Sequence, residues 1–519
     1  MFKILFKQVA SLQIILGGVI LVPSLVGIIY QEWYSAIGFF TSGLIISFIG
    51  YVLYRFLKNA EDPTHQHALL IAALGWLMII VLGSLPYYVI AQITPLEVMK
   101  SFIPTGASYQ SSLLNFKNPL HCFFESTSAF TTTGLTMAYH EPSVGKSILF
   151  YRSFSQWIGG AGFIVMALAI FKHIPGQSAL LLYGSEASGT KLKSNVIDTA
   201  RAIWKVYFLV TFAMVVYIFC GTYFILPNYS LQDNLFDAVN HAMTGQSTGG
   251  FSVLDNSIAG YNSAQMDILF ILPMLLGGLS IPFLFRFIFL KKFSDLWNDI
   301  QTRAILIASL IGSILLSILL INSTNVNNPI REGIFQFISA LSTTGWQTSN
   351  IGGWSDLPML FIVFAAMIIG GSAGATVGGI KIIRALLLQK GLRWHINRIF
   401  MPKGALQTVT FNKRKLLLAE MNKELATAGI FTLIYLLFVL ISTFCTIYFM
   451  NDTYTLADAL FESASAQGTV GLSTGITDPS MSPVLEGIYI IQMWAGRIEI
   501  IPVLVIVRTL FYGTKSIKI

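Results

Sequence analysis

Four short stretches of this chain repeat one pattern without a gap, and each lies between two long apolar runs. They read His121 to Gly134-Leu135, Asp237 to Gly250-Phe251, Glu332 to Gly345-Trp346 and Asp458 to Gly471-Leu472. Each begins on a polar or acidic residue, carries a Gly thirteen positions later, and places a large apolar residue after it. The glycines are 116, 95 and 126 residues apart. Self-similarity of this kind marks a repeat architecture. The stretches, near 119–136, 235–252, 331–348 and 457–474, are too short and polar to cross a bilayer, which needs about 20 apolar residues. They read as re-entrant segments. Non-helical backbone at membrane depth is tolerated only inside protein or beside a wet cavity.

The flanking runs lie near 67–92, 146–171, 203–227, 264–290, 304–322, 357–389, 426–450 and 484–512. Two more, at 9–31 and 35–57, form a hairpin around Gln31-Glu32-Trp33. The first of these has the basic start of a signal peptide, but it exceeds a usual apolar region and a second span follows at once, so it reads as a membrane helix. The expected fold is therefore an all-α polytopic membrane protein in a lipid bilayer, with about ten spans. Its parts are a hairpin (1–60) and four pseudo-symmetric helix–pore-loop–helix units: 61–175, 176–295, 296–392 and 393–519. Only 11% of residues are charged and 54% are apolar, against about a quarter charged in soluble proteins. That excludes a soluble enzyme, a disordered scaffold and a nucleic-acid binder. Cys122, Cys220 and Cys445 are far apart and read as incidental.

The net charge of +8 reports topology. Lys3, Lys7, Arg55, Lys58, Lys172, Lys191, Lys193, Lys291, Lys292, Arg303, Arg393, Lys413, Arg414, Lys415, Lys515 and Lys518 fall on one side. Only Lys100, Lys117, Lys146 and Arg331 fall on the other. The positive-inside rule puts both termini in the cytoplasm and opens the re-entrant segments outward.

Each segment is expected to start as a short helix aimed at a shared axis. Asp237, Glu332 and Asp458 sit where acidic residues cap a helix and, near the outer mouth, concentrate cations. Candidate ion ligands are Thr132, Thr133 and Gly134; Thr248, Gly249 and Gly250; Thr343, Thr344 and Gly345; and Thr469, Val470 and Gly471. A dehydrated cation needs a ring of carbonyl oxygens, and Gly allows the backbone angles that aim them. Glu125, His241, Gln336 and Glu462 occupy one register and are expected to hydrogen-bond behind this ring. Arg152 and Gln156 read as polar groups that brace it. A second feature interrupts an apolar run: Gly370, Gly371, Ser372, Gly374, Gly378 and Gly379. It reads as a flexible gate under the ring, or as close helix packing through small residues. Lys381 belongs to this gate or snorkels to the interface. Arg497, deep in the last span, is a functional candidate or locks helices through Glu499 or carbonyls. No HExxH, GxSxG or Walker motif is present.

The motifs FFESTSAFTTTGLT, RSFSQWIGGAGFIVMALAI, HAMTGQSTGGFS, GGSAGATVGGIKIIRALLL and WAGRIEIIPVLV span nearly the whole chain. With them the chain resembles the Trk/Ktr/HKT superfamily of K⁺ transporters, in the ten-span form of the Trk membrane subunit. The resemblance implies K⁺ uptake across the plasma membrane, one filter Gly per unit, and K⁺ held at Thr132, Thr133, Thr248, Gly249, Thr343, Thr344, Thr469 and Val470. It implies a gate formed by residues 370–381 and Arg497, a homodimer, and cytoplasmic nucleotide-binding regulatory subunits. The chain itself has no nucleotide fingerprint and no covalently bound cofactor is expected. The basic segment 393–423 docks such a partner or simply obeys the positive-inside rule. Gly134 stands where Na⁺-favouring relatives often carry Ser. Single-Gly segments imply modest discrimination among K⁺, Rb⁺ and Na⁺. The rival reading is a secondary transporter, K⁺ symport with Na⁺ or H⁺, with a midplane site in broken helices.

Overall fold

Small residues set the first contact in the chain. Helices Phe2–Ile29 and Trp33–Phe56 pack closely, because Gly17 faces Gly43 and Ser47 while Gly27 faces Ala36. In lipid, such seams replace the hydrophobic drive between helices with close van der Waals packing. Glu32, in the turn between them, accepts from the N–H of Lys146 (2.6 Å) and of Ser147 (2.9 Å). One carboxylate thus caps the orphan donors of a later helix and ties the hairpin to the first unit. The computed structural model describes residues 2–61, 65–171, 196–322, 326, 328–354, 356–400, 408–412 and 414–513. Lys172, Lys191, Lys193, Lys413, Lys515 and Lys518 lie outside them.

Four helix–short helix–helix units follow. The outer helices are His65–Gly83, continued by Leu85–Ile93, then Val196–Ile225, Ile300–Ile321 and Leu418–Phe449. The re-entrant helices are Pro119–Phe130, Leu231–Gln246, Pro329–Leu341 and Leu456–Gly468. Among the described residues, six helices are long and apolar enough to cross a membrane, and two bent pairs bring this to eight. Lys146–Phe171 and the pair Leu357–Ile369 with Ile382–Ile399 fill the remaining places in the four units. Strands Thr408–Phe411 and Arg414–Leu417 pair antiparallel, with Phe411 opposite Arg414, ahead of the helix Leu418–Phe449.

One expectation needs correction, and two spans carry a sharp break. The apolar runs 264–290 and 484–512 are each bent in mid-course. Ala264–Gly278 and Ile281–Phe289 meet at 104°, and Pro483–Arg497 and Ile501–Tyr512 at 111°. Ser280 restarts the first by accepting from the N–H of Phe283 at 3.2 Å. The second turns at Glu499 (φ 63°) and Ile500 (φ 60°), two non-glycine residues at positive φ, which a helix cannot continue through. Hydropathy is blind to the sign of φ. The correction concerns Asp237, which is no helix cap. Its helix starts at Leu231, and its carboxylate accepts from the hydroxyls of Tyr229 (2.6 Å) and Tyr261 (2.9 Å). Glu332 and Asp458 do sit in first turns, where Asp458 completes a capping box with Thr455.

Among the described residues the core has three parts, the smallest of which packs Trp394 with Phe411 and Met421. One runs from Leu16 and Phe39 of the hairpin through Phe124 and Val363 to Tyr489. Another gathers unit two around Tyr207 and Phe270 and takes in Trp346 of unit three.

Candidate functional site

Each re-entrant helix ends by passing through the same backbone states. Thr132, Thr248, Thr343 and Thr469 have φ of 57°, 51°, 53° and 49°. Two residues on, Gly134, Gly250, Gly345 and Gly471 have φ of 99°, 78°, 83° and 93°. A β-branched residue at positive φ is a genuine outlier. Each costs on the order of 1–3 kcal/mol, and four in one register mark a functional constraint.

The four segments close on one another. A Cβ built on Gly134 would meet the carbonyl oxygen of Gly249 at 2.5 Å. On Gly250 it would collide with the carbonyl of Thr344, on Gly345 with that of Val470, and on Gly471 with that of Thr133. Unit one thus abuts two, two abuts three, three abuts four, and four returns to one. The carbonyls of the residues before each Gly form a ring that only glycine neighbours admit. The Thr132 and Thr469 hydroxyls are buried and meet no hydrogen-bond partner among the described residues.

The layer behind the ring is hydrogen-bonded in register. Glu125 accepts from the N–H of Met137 (2.8 Å), and Glu462 from that of Thr474 (3.0 Å). Gln336 turns its amide oxygen to the N–H groups of Thr348 (2.8 Å) and Ser349 (3.1 Å). His241 Nε2 lies 3.1 Å from Ser252 Oγ. Ser128 Oγ accepts from the N–H of Gly134 (2.9 Å), and Ser465 Oγ from that of Gly471 (3.0 Å). Arg152 donates to Glu125 (2.6 Å), to Thr136 (2.8 Å) and to the carbonyl of Ser252 (3.2 Å), and stacks on Phe251. Gln156 donates to the carbonyl of Gly249.

On one side the ring opens into a vestibule of about 400 Å³ that all four glycines line. Its acidic residues are Glu141 and Asp255, not Asp237, Glu332 or Asp458. Tyr109 stacks on His140 (3.7 Å between centroids) and donates to Asp255 at 3.0 Å. Desolvation raises the Glu141 carboxyl to about 8, with Asp255 and Glu125 adding to the rise and Arg152 opposing it. Sequence reasoning missed Glu141 and Asp255, because they come from the loops that follow the glycines, at different offsets from them.

On the other side lie residues 370–381. Thr376 Oγ1 donates to the carbonyl of Gln246 (3.1 Å) and lies 3.1 Å from Thr248 Oγ1. The N–H of Gly378 donates to Thr343 Oγ1 (3.2 Å), and a Cβ on Gly378 would strike Gly468 and Thr469 of unit four. Gly370, Gly374 and Gly379 take positive φ, as does Lys381. Gly371 accepts from the N–H of Ile382 (3.0 Å) and the N–H of Ser372 donates to Gly278 (3.0 Å). Arg497, 3% exposed, donates to the carbonyls of Thr376, Gly159 (3.0 Å) and Gly160 (3.2 Å). It joins units three, four and one. Glu499 pairs instead with Lys381 (2.6 Å) and Arg384 (2.7 Å), so Lys381 does not snorkel. Arg384 is a residue that sequence reasoning passed over.

Fold and site together define an all-α polytopic membrane protein with four re-entrant segments around one central path. Residues 70–517 match the family model described as TrkH, cation transport protein, and the chain belongs to this family. It is a transporter, not an enzyme. An uncharacterized cation transporter, MJ1485, of Methanocaldococcus jannaschii is 32% identical, covering 98% of this chain and 97% of that one. The Trk system potassium uptake protein TrkH of Escherichia coli K12 is 28% identical over 98% and 99% of the two chains. The crystal structure of the potassium transporter TrkH from Vibrio parahaemolyticus shares the fold, with a TM-score of 0.78 at 24% identity, covering 99% of this chain and 100% of that one.

Proposed function

We propose that the chain takes up K⁺ through the glycine ring, channel-like, in the prokaryotic plasma membrane. The observation that carries this reading is the closed circuit in which each unit's Gly faces the preceding-residue carbonyl of the next. Carbonyls at Thr132, Thr133, Thr248, Gly249, Thr343, Thr344, Thr469 and Val470 replace the water that K⁺ sheds. An inside-negative potential drives entry with about 2.3 kcal/mol per charge per 100 mV. Beneath the ring, residues 370–381 and Arg497 act as the gate: the loop hydrogen-bonds the segment ends, and the guanidinium puts a fixed positive charge on the path. The name of the Escherichia coli relative supports potassium as the ion. A homodimer with cytoplasmic nucleotide-binding regulatory subunits, docked near 393–423, completes the assembly.

The test is ⁸⁶Rb⁺ and K⁺ flux into proteoliposomes, with and without a regulatory subunit. Potential-driven uptake is expected without a coupling ion. Uptake that needs a Na⁺ or H⁺ gradient would assign a symporter, and no flux under any condition removes the reading. Gly134→Ser puts a Cβ against the Gly249 carbonyl, 2.5 Å away, and is expected to lower K⁺/Na⁺ preference. A drop of about tenfold corresponds to ~1.4 kcal/mol. An unchanged preference removes the filter assignment.

A further inference from the structure

In three of the four ring segments, the residue before the Gly is held by its own side chain. Thr133 Oγ1 lies 2.8 Å from Thr131 Oγ1, Thr344 Oγ1 lies 2.8 Å from Ser342 Oγ, and Val470 is fully buried. The second segment has Gly249 at this place, followed by Gly250, so two successive glycines leave its backbone the least restrained of the four. The space beside it is nonetheless filled. A Cβ built on Gly249 would land on the side-chain amide of Gln156. Gln156 is fully buried and comes from the helix Lys146–Phe171 of unit one. Its Nε2 donates to the carbonyl of Gly249, and its Oε1 accepts from the N–H of Phe251 at 3.2 Å. The amide therefore grips the backbone on both sides of Gly250. Among the described residues, no side chain donates to the equivalent carbonyls of Thr133, Thr344 or Val470.

We propose that Gln156 is a specificity-determining positioning residue, standing in for the side chain that Gly249 lacks. It fixes the second unit's carbonyl so that four carbonyls, not three, present rigid geometry to the ion. An unrestrained carbonyl follows a smaller ion inward, so loss of the grip relaxes discrimination against Na⁺. The inference rests on the filter reading above.

The test is Na⁺ and K⁺ competition against ⁸⁶Rb⁺ uptake by the full chain in proteoliposomes. Gln156→Ala is expected to lower the K⁺-over-Na⁺ preference about fivefold, the scale of one neutral hydrogen bond. Gly249 lies outside the positive-φ region, and the nearest atoms a Cβ there would meet are all of Gln156, so shortening Gln156 clears the closest contacts for Ala. Gly249→Ala by itself is expected to disturb selectivity, and combined with Gln156→Ala to restore at least half of the lost preference. If Gln156→Ala fails to fold, Gln156→Met keeps the length, removes both hydrogen bonds and is expected to show the same loss. An unchanged preference in the folded Gln156 variant overturns the proposal. So does a loss that Gly249→Ala leaves uncorrected. A wild-type chain that conducts without preferring K⁺ refutes the filter reading instead, and is recognised before any Gln156 variant is compared.

Discussion

Glu125 and Arg152 form an ion pair with no exposed surface, 2.6 Å apart, directly behind the ring. Two charges this deep are stable only because each is satisfied several times over. Glu125 also accepts from Thr136 and Met137, and Arg152 reaches Ser252 of the next unit. Removing one partner strands the other in low dielectric. Arg152→Met is therefore expected to cost about 3–5 kcal/mol, read as a drop in thermal unfolding temperature in detergent. The double variant Glu125→Gln with Arg152→Met is expected to recover part of this, because no bare charge remains. A single variant as stable as the parent would show that the pair contributes nothing. At this scale the sequence was readable where the repeat register applied. Glu125, His241, Gln336 and Glu462 share one offset from their glycines, and all four bond behind the ring. Glu141 and Asp255 stand at different offsets from their glycines, seven and five residues on, so no single register position announces the pair of acids at the mouth they line. Asp237 shows the opposite error. Its offset matches, but extra turns at the start of its helix put it among tyrosines instead of at a cap.

Elements were legible in number and place, and less so in shape. The four re-entrant helices fall where polar stretches interrupt apolar runs, and the Gly-rich break after Ile369 is visible because glycine advertises it. The break at Glu499 and Ile500 is not, since a β-branched residue at φ 60° contradicts every local propensity. Tertiary contacts hold it open. Glu499 is held by Lys381 and Arg384 from unit three, and Arg497 reaches across to units one and three. These two residues pull opposite ways from one helix end: of the two structural partners the sequence left open for Arg497, Glu499 or carbonyls, the carbonyls are the ones it grips. The consequence is testable at the level of the element. Arg497→Ala removes both the fixed charge and the clamp on Thr376, and is expected to raise K⁺ flux severalfold in proteoliposomes. Arg497→Lys keeps the charge but loses the forked grip on three carbonyls. If charge sets the barrier, the Lys variant conducts like the parent; if the clamp does, it conducts like the Ala variant. A fall in flux in the folded Ala variant would assign Arg497 to helix packing alone.

Across the whole molecule, the ring closes in chain order, so orientation of the chain in the bilayer decides the direction the vestibule faces. Basic residues on the vestibule side are few, and two of the four are engaged: Lys146 pairs with Asp233 at 2.8 Å and Arg331 with Asp267 at 3.1 Å. Paired charges weigh less against translocation than free ones. On the opposite side, Arg303, Lys390 and Arg393 rim one groove between the outer and inner helices of unit three. This asymmetry predicts that the vestibule faces outward and both termini face the cytoplasm. Lys117, just before the re-entrant helix Pro119–Phe130, and Lys390, on the groove of unit three, are both exposed, so each can report its side. With Cys122, Cys220 and Cys445 replaced, Lys117→Cys is expected to react with a membrane-impermeant thiol reagent in intact cells. Lys390→Cys is expected to react only after permeabilisation. The reverse pattern would turn the vestibule toward the cytoplasm. Cations would then meet Arg497 and residues 370–381 before the ring, and the same geometry would describe a path filtered at its exit, which contradicts uptake selected at the outer mouth.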